Sequence, residues 1–250
     1  MKKYHIIYSL GTDCACAMYM KQHNLRQYSG PFDWLTHATF ETRAKLIIND
    51  FDKFLEIDDL RPIAKDINVE NDDHCDYYEN IRSGFYYYHD FPVGKTLKDV
   101  FNDVHTKYQR RICRFYDNVS KSKKVLFIWF SHEETLSDSF ILDRCDLICK
   151  KFEKIIDFAI IQHDPNSPKG TIQSKLIAPN IQRYYLFSQA KDSLNRPTTQ
   201  GDIDTCSKIF AQYQRIIPFR KRFLKRALRI LCIVIPQRNL RKRLRNLIKL

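Results

Sequence analysis

One stretch limits the fold more than any other: Val125-Leu126-Phe127-Ile128-Trp129-Phe130, apolar without a break. A run this short, rich in β-branched and aromatic residues, predicts a strand covered on both faces, the pattern of a parallel sheet. Its neighbours agree. Leu97, Val100, Val104, Tyr108, Ile112 and Phe115 recur at three- and four-residue spacing, which predicts an amphipathic helix over 96–116. Residues 137–156 predict another, capped by Ser137, and Phe158-Ala159-Ile160-Ile161 a strand after it. That succession is a βαβ unit. The fold class it predicts is α/β: three layers, with a mostly parallel sheet between flanking helices.

Elsewhere the pattern predicts a strand over 3–10, a helix over 14–22 capped by Thr12 or Asp13, and a helix over 39–50. Gly30-Pro31 disfavours helix, so Phe32, Asp33 and Trp34 are offered from a loop. Residues 51–76 carry scattered acids and little periodicity, and read as an irregular excursion with a short helix. An aromatic strand over 81–91, a strand over 182–188 and a last helix over 204–217 complete the prediction.

Charge divides the chain. From Arg215 to Leu250 there are thirteen Lys or Arg and no acid, and the formal net charge of the whole chain is +13. The body, 1–214, is therefore close to neutral and reads as one α/β domain, with 215–250 a basic amphipathic helical tail. The tail carries Ile230-Leu231-Cys232-Ile233-Val234-Ile235 among its cations, a combination that suits an anionic membrane surface better than nucleic acid. Arg220, Arg222, Lys225, Arg229, Arg241 and Arg243 are its candidate membrane-binding residues. The chain has no apolar run of about 18 residues and no secretory leader pattern. The expectation is a cytoplasmic protein peripheral to the inner face of the membrane. The eight cysteines show no metal-ligand spacing and read as thiols, and no cofactor motif occurs.

The chemistry is best sought at Ser9-Leu10-Gly11-Thr12-Asp13-Cys14. A strand that turns at Gly11 into a helix would hold Cys14 in the first turn, where unpaired N–H groups and the helix dipole favour a thiolate. The same residues also fit a plain βα turn with Cys14 as a small buried hydrophobe. A thiolate needs a base. His89, beside Asp90 at the end of the aromatic strand, is the first candidate; His132 and His163 follow strands of the predicted sheet. Asp33 is placed to orient a base or hold substrate. Arg110, Arg111 and Arg114 share a helix face that suits an anionic substrate or plain solvation.

Together Ser9-Leu10-Gly11-x-x-Cys14-x-x-Ala17, Leu25-Arg26-x-x-Ser29-x-Pro31-Phe32-Asp33-Trp34 and His89-Asp90-Phe91 resemble an uncharacterised family labelled "putative papain-like cysteine peptidase". Tyr108-x-Arg110-Arg111-x-x-Arg114-Phe115 and Lys124 to Phe127 extend the resemblance to about residues 4–190. It implies Cys14 as nucleophile, His89 as base, Asp33 and Asp90 in support, and a papain-like α+β fold as the alternative architecture. Ser9, Gly11, Asp13, Arg26, Ser29, Trp34, Arg111 and His132 are the candidate substrate-binding residues. The family also implies a bacterial surface-polysaccharide setting, with a glycan or lipid-linked substrate. Three functions follow: a cysteine hydrolase or acyl transferase, a transferase or modifying enzyme of capsule or lipopolysaccharide synthesis without covalent cysteine chemistry, or a membrane-docked scaffold.

Overall fold

The computed structural model describes residues 1–70, 73–191, 198 and 200–217. The six tail cations from Arg220 to Arg243 lie outside the described residues. The chain divides into compact units Met1–Arg215 and Ile216–Leu250, and the first holds every element described. In order these are β1 (Lys2–Tyr4), β2 (Ile6–Ser9), α1 (Cys14–Gln22), β3 (Leu35–His37), α2 (Phe40–Ile48), β4 (Leu60–Glu70), β5 (Asp73–Asn80), β6 (Phe85–Pro92), α3 (Leu97–Lys121), β7 (Val125–Ser131), α4 (Asp138–Lys151), β8 (Asp157–His163), β9 (Gln173–Ala178), β10 (Ile181–Leu186), α5 (Ile203–Phe210) and β11 (Tyr213–Arg215).

The main sheet has the order β2-β7-β8-β10-β9. Its first three pairings are parallel, and β9 joins antiparallel at the edge. A second sheet, β3-β6-β5-β4, is antiparallel throughout. The chain is thus mixed α/β, as its periodicity predicts, with an antiparallel sheet that periodicity does not foresee.

The apolar run of β7 explains itself in the packing. Phe127 and Trp129 join one core with Ala44 and Ile47 of α2, Ile112 and Phe115 of α3, and Ile141 and Ile148 of α4. Leu126, Ile128 and Phe130 join another with Ala15, Cys16 and Tyr19 of α1 and Ile209 and Phe210 of α5. Each face of the strand meets helices, which is why the run from Val125 to Phe130 is apolar throughout. Caps set where the helices begin: Thr96 and Asp99 close a reciprocal capping box on α3, and Ser137 accepts from the Phe140 N–H on α4.

Several expectations are corrected. The predicted strand 3–10 is two strands separated at His5: β1 pairs with β11 and β2 with β7. Residues 51–76 are no irregular excursion but a 3-10 turn, Ile57–Asp59, followed by β4 and the first half of β5. Arg61, Pro62, Ile63, Lys65 and Asp66 are exposed and the β4–β5 register shifts three times, which erases the alternation that marks a strand. The aromatic strand begins at Phe85, because 81–84 form a turn. α4 stops at Lys151, and α5 stops at Phe210, where the chain leaves to pair with β1.

Candidate active site

The turn into α1 rides on the end of β7. Leu10 N–H donates to Ile128 O at 2.7 Å and Thr12 N–H to Phe130 O at 3.2 Å. Ser9 is buried and its Oγ accepts from Gly11 N–H at 3.1 Å. A Cβ at Gly11 would stand 2.6 Å from Cys16 Cβ, so only glycine lets the helix lie this close to the strand. Asp13 is the N-cap, its Oδ1 accepting from Ala15 N–H at 2.8 Å. Burial pushes the Asp13 carboxyl above its ordinary value, opposed by that N–H and by the charges of His132 and Arg43.

The two cysteines of this turn part company. Cys16 is wholly buried, donates to Ile128 O at 3.6 Å, and burial pushes its thiol up to about 12. Cys14, the first residue of α1, is half-buried. Of the two, only Cys14 is not wholly enclosed.

The neighbouring strand ends bring further groups to the same edge. His132 follows β7, and its Nδ1 lies 2.7 Å from Ser188 Oγ. Ser188 N–H donates to His163 Nδ1 at 3.0 Å, with the hydroxyl 3.3 Å from the same nitrogen. Burial and the nearby His132 lower the His163 pKa. Gly201 (φ +66°) closes over this group: a Cβ there would stand 2.0 Å from Ser188 O and 2.4 Å from His132 Cε1. Ser188, at a loop without a motif, is a residue that sequence reasoning missed.

The second and third motifs also meet. Asp33 is buried, with Oδ2 accepting from Arg26 Nε at 2.6 Å and Gly30 N–H at 3.0 Å. Arg26 continues to Ser29 Oγ at 2.6 Å and lies 5.0 Å over the Trp34 ring. Trp34 in turn stands edge-on to His89, ring centres 5.6 Å apart. This loop packs on the core through Tyr8, the residue before Ser9, which sits against Gly30. Asp90 accepts from Tyr108 Oη at 2.8 Å and pairs with Lys107, both on α3. The β5–β6 register shifts just where β6 carries His89 and Asp90, an irregularity of the kind that re-aims side chains.

Arg43 is a further residue without a sequence signal, lying among ordinary charges of α2. Its guanidinium is wholly buried beside Phe32, Phe85 and Trp129, and donates to His37 O at 3.0 Å. Burial lowers its pKa to about 9, against the charges of Asp13, Cys16 and Glu134.

Residues 5–164 match the family described as "putative papain-like cysteine peptidase". The chain belongs to that family. The matched segment contains Cys14, Asp33, His89, His132 and His163, and ends before Ser188. The chain is also 29% identical over 181 residues to an uncharacterized protein of Acanthamoeba polyphaga mimivirus, covering 66% of this chain and 81% of that one. No solved structure matches. A viral relative of unassigned role bears on neither the bacterial setting nor the glycan substrate expected from the sequence. Among the described residues there is no cluster of three or more His, Cys, Asp or Glu that could hold a metal, and no helix is long and apolar enough to cross a membrane. A groove of about 610 Å³ lined by Lys2, Lys3, Lys123, Lys124 and Asp157 opens at the other end of the strands.

Proposed function

We propose that this protein is a cysteine hydrolase or acyl transferase in which Cys14 is the nucleophile and His89 the base. The observation that supports the reading is a chain of contacts running between the three separated motifs. Cys14 opens α1 at the carboxyl edge of the parallel sheet, the Gly30–Trp34 loop packs against Tyr8 of the same strand, and Trp34 stands against His89. The edge of an open sheet, beyond the carboxyl ends of its strands, is where α/β folds bind ligands. Flanking helices on both faces of that sheet make the architecture a three-layer one in this reading.

The chemistry balances as ordinary acyl transfer. The Cys14 proton passes to the imidazole, and the thiolate forms a C–S bond to a carbonyl carbon. Backbone N–H groups of the first turn of α1 face the oxygen on which charge develops. The leaving group departs with the proton held by the imidazole, and water or another acceptor breaks the thioester. Asp33 acts as a positioning residue by fixing the loop that carries Trp34. His132, tethered by Ser188 at the end of β7, contributes to substrate binding.

Labelling with a thiol-selective probe tests this, provided the adduct is mapped, because Cys113 is exposed. Cys14 should be labelled, Cys14→Ala and Cys14→Ser should lose turnover of activated acyl esters, and His89→Ala should lose labelling at neutral pH and regain it at alkaline pH. Full turnover in Cys14→Ala ends the proposal.

A further inference from the structure

We infer that α3 and the loop of residues 26–34 form a subsite for an oxyanion of the substrate, a carboxylate or a phosphate group, gripped by Arg111 and Arg114. The argument rests on a closed ring of contacts. Starting from Trp34, the ring passes to Arg26 at 5.0 Å, then to Ser29 Oγ at 2.6 Å, and from Ser29 O to Arg114 Nη2 at 2.8 Å. Along α3, Arg114, Arg111 and Lys107 lie seven, four and zero positions from the start of one helix face. Lys107 pairs with Asp90, the neighbour of His89, and His89 returns to Trp34 at 5.6 Å.

Within this ring the charges do not cancel. Asp33 takes Arg26 and Asp90 takes Lys107. Arg111 and Arg114 have no acid partner among the described residues. Arg114 Nε and Arg111 Nη1 are buried without a hydrogen-bond partner, while their guanidiniums lie 5.0 Å over Tyr28 and Tyr108. A buried cationic donor left unmatched is costly, and an oxyanion relieves it. Stacking on tyrosine holds the planar fork in one orientation, the geometry that takes two anionic oxygens at once. Arg110, next in sequence, is exposed.

The subsite extends the proposed catalytic reading by placing an anionic group beside His89, but its binding chemistry does not require Cys14. Equilibrium dialysis of the full chain against inorganic phosphate and against acetate tests it, with Arg111→Gln, Arg114→Gln and Arg110→Gln compared. The basic tail contributes the same background to all. Arg111→Gln and Arg114→Gln should each weaken the saturable component about tenfold, with Arg110→Gln unchanged. Arg111→Lys, which keeps the charge and loses the fork, should fall between, and serves where Arg111→Gln fails to fold. Tighter binding of phosphate assigns a phosphate ester; tighter binding of acetate assigns a carboxylate. Equal affinity in the Arg110 and Arg111 variants, or no saturable binding of either anion, overturns the inference. Cys14→Ala should bind as the parent does, so loss of the catalytic reading and loss of this one are told apart.

Discussion

Ser188 holds His163 through its backbone: the Ser188 N–H donates to His163 Nδ1 across 3.0 Å. That nitrogen is an acceptor, so the neutral ring carries its proton on Nε2, and protonating Nδ1 would set one N–H against another. The lowered pKa of His163 has the same sense.

The consequence is a pH dependence of stability. Above the ordinary value of 6.5 the ring is neutral in both folded and unfolded chains, and the full stability is present. As pH falls through 6.5 the unfolded chain takes the proton first, so stability declines until the folded ring also titrates. Urea midpoints measured across this window should fall toward acid, and fall less steeply in His163→Gln. Parallel curves for the two proteins refute the assignment.

Gly11→Ala should lower stability by about 1–3 kcal/mol, the usual range for overpacking. The added Cβ meets Cys16 Cβ at 2.6 Å and Phe130 O at 3.4 Å, so the strand or the first turn of α1 must shift to admit it. Denaturant unfolding measures the loss. Because the helix start must shift, probe labelling at Cys14 should change as well.

Gly201→Ala brings two penalties together, a left-handed φ of +66° and a Cβ 2.0 Å from Ser188 O. The expected outcome is a drop in thermal midpoint and a displaced His132 ring, visible as a shifted imidazole resonance. A variant with the parent's midpoint would show that the loop relaxes freely and that the His132–Ser188 contact is not fixed by it.

How far the sequence reveals this protein depends on where each residue takes its partners. The β7 run and the α3 stripe are legible because two-sided burial and a 3.6-residue period leave direct traces in composition. β4 is not, because it is an edge strand in which Arg61, Pro62, Ile63, Lys65 and Asp66 face solvent. Cys14, Asp33 and His89 are legible as members of motifs. The contact that joins the second motif to the third is not, since it depends on Trp34 reaching β6 across the chain. Ser188 and Arg43 leave no trace, being an ordinary serine and an ordinary helical arginine until the fold encloses them.

Asp33→Asn isolates the loop. Asparagine keeps an acceptor for Gly30 N–H but leaves the Arg26 guanidinium without its charge partner in a site where Asp33 is 1% exposed. Stability should fall by about 1–3 kcal/mol. If Asp33 positions Trp34 and through it His89, then kcat should fall more than the unfolding loss accounts for, with the pH–rate profile displaced. A change confined to stability would mean the loop is structural alone.

The tail reading stands apart from the active site and is tested separately. Residues 215–250 carry thirteen cations and no acid around an apolar stretch, and each basic residue near an anionic membrane surface contributes about 1 kcal/mol. We propose that this segment docks the enzyme on anionic lipid. The full chain should sediment with vesicles containing phosphatidylserine, lose binding as salt rises, and stay in solution with neutral vesicles. Replacing Arg220, Arg222, Lys225 and Arg229 with glutamine should abolish sedimentation while turnover of a small acyl ester persists. Undiminished sedimentation in that variant moves the attachment elsewhere, with the groove around Lys2, Lys3, Lys123 and Lys124 the next surface to neutralise.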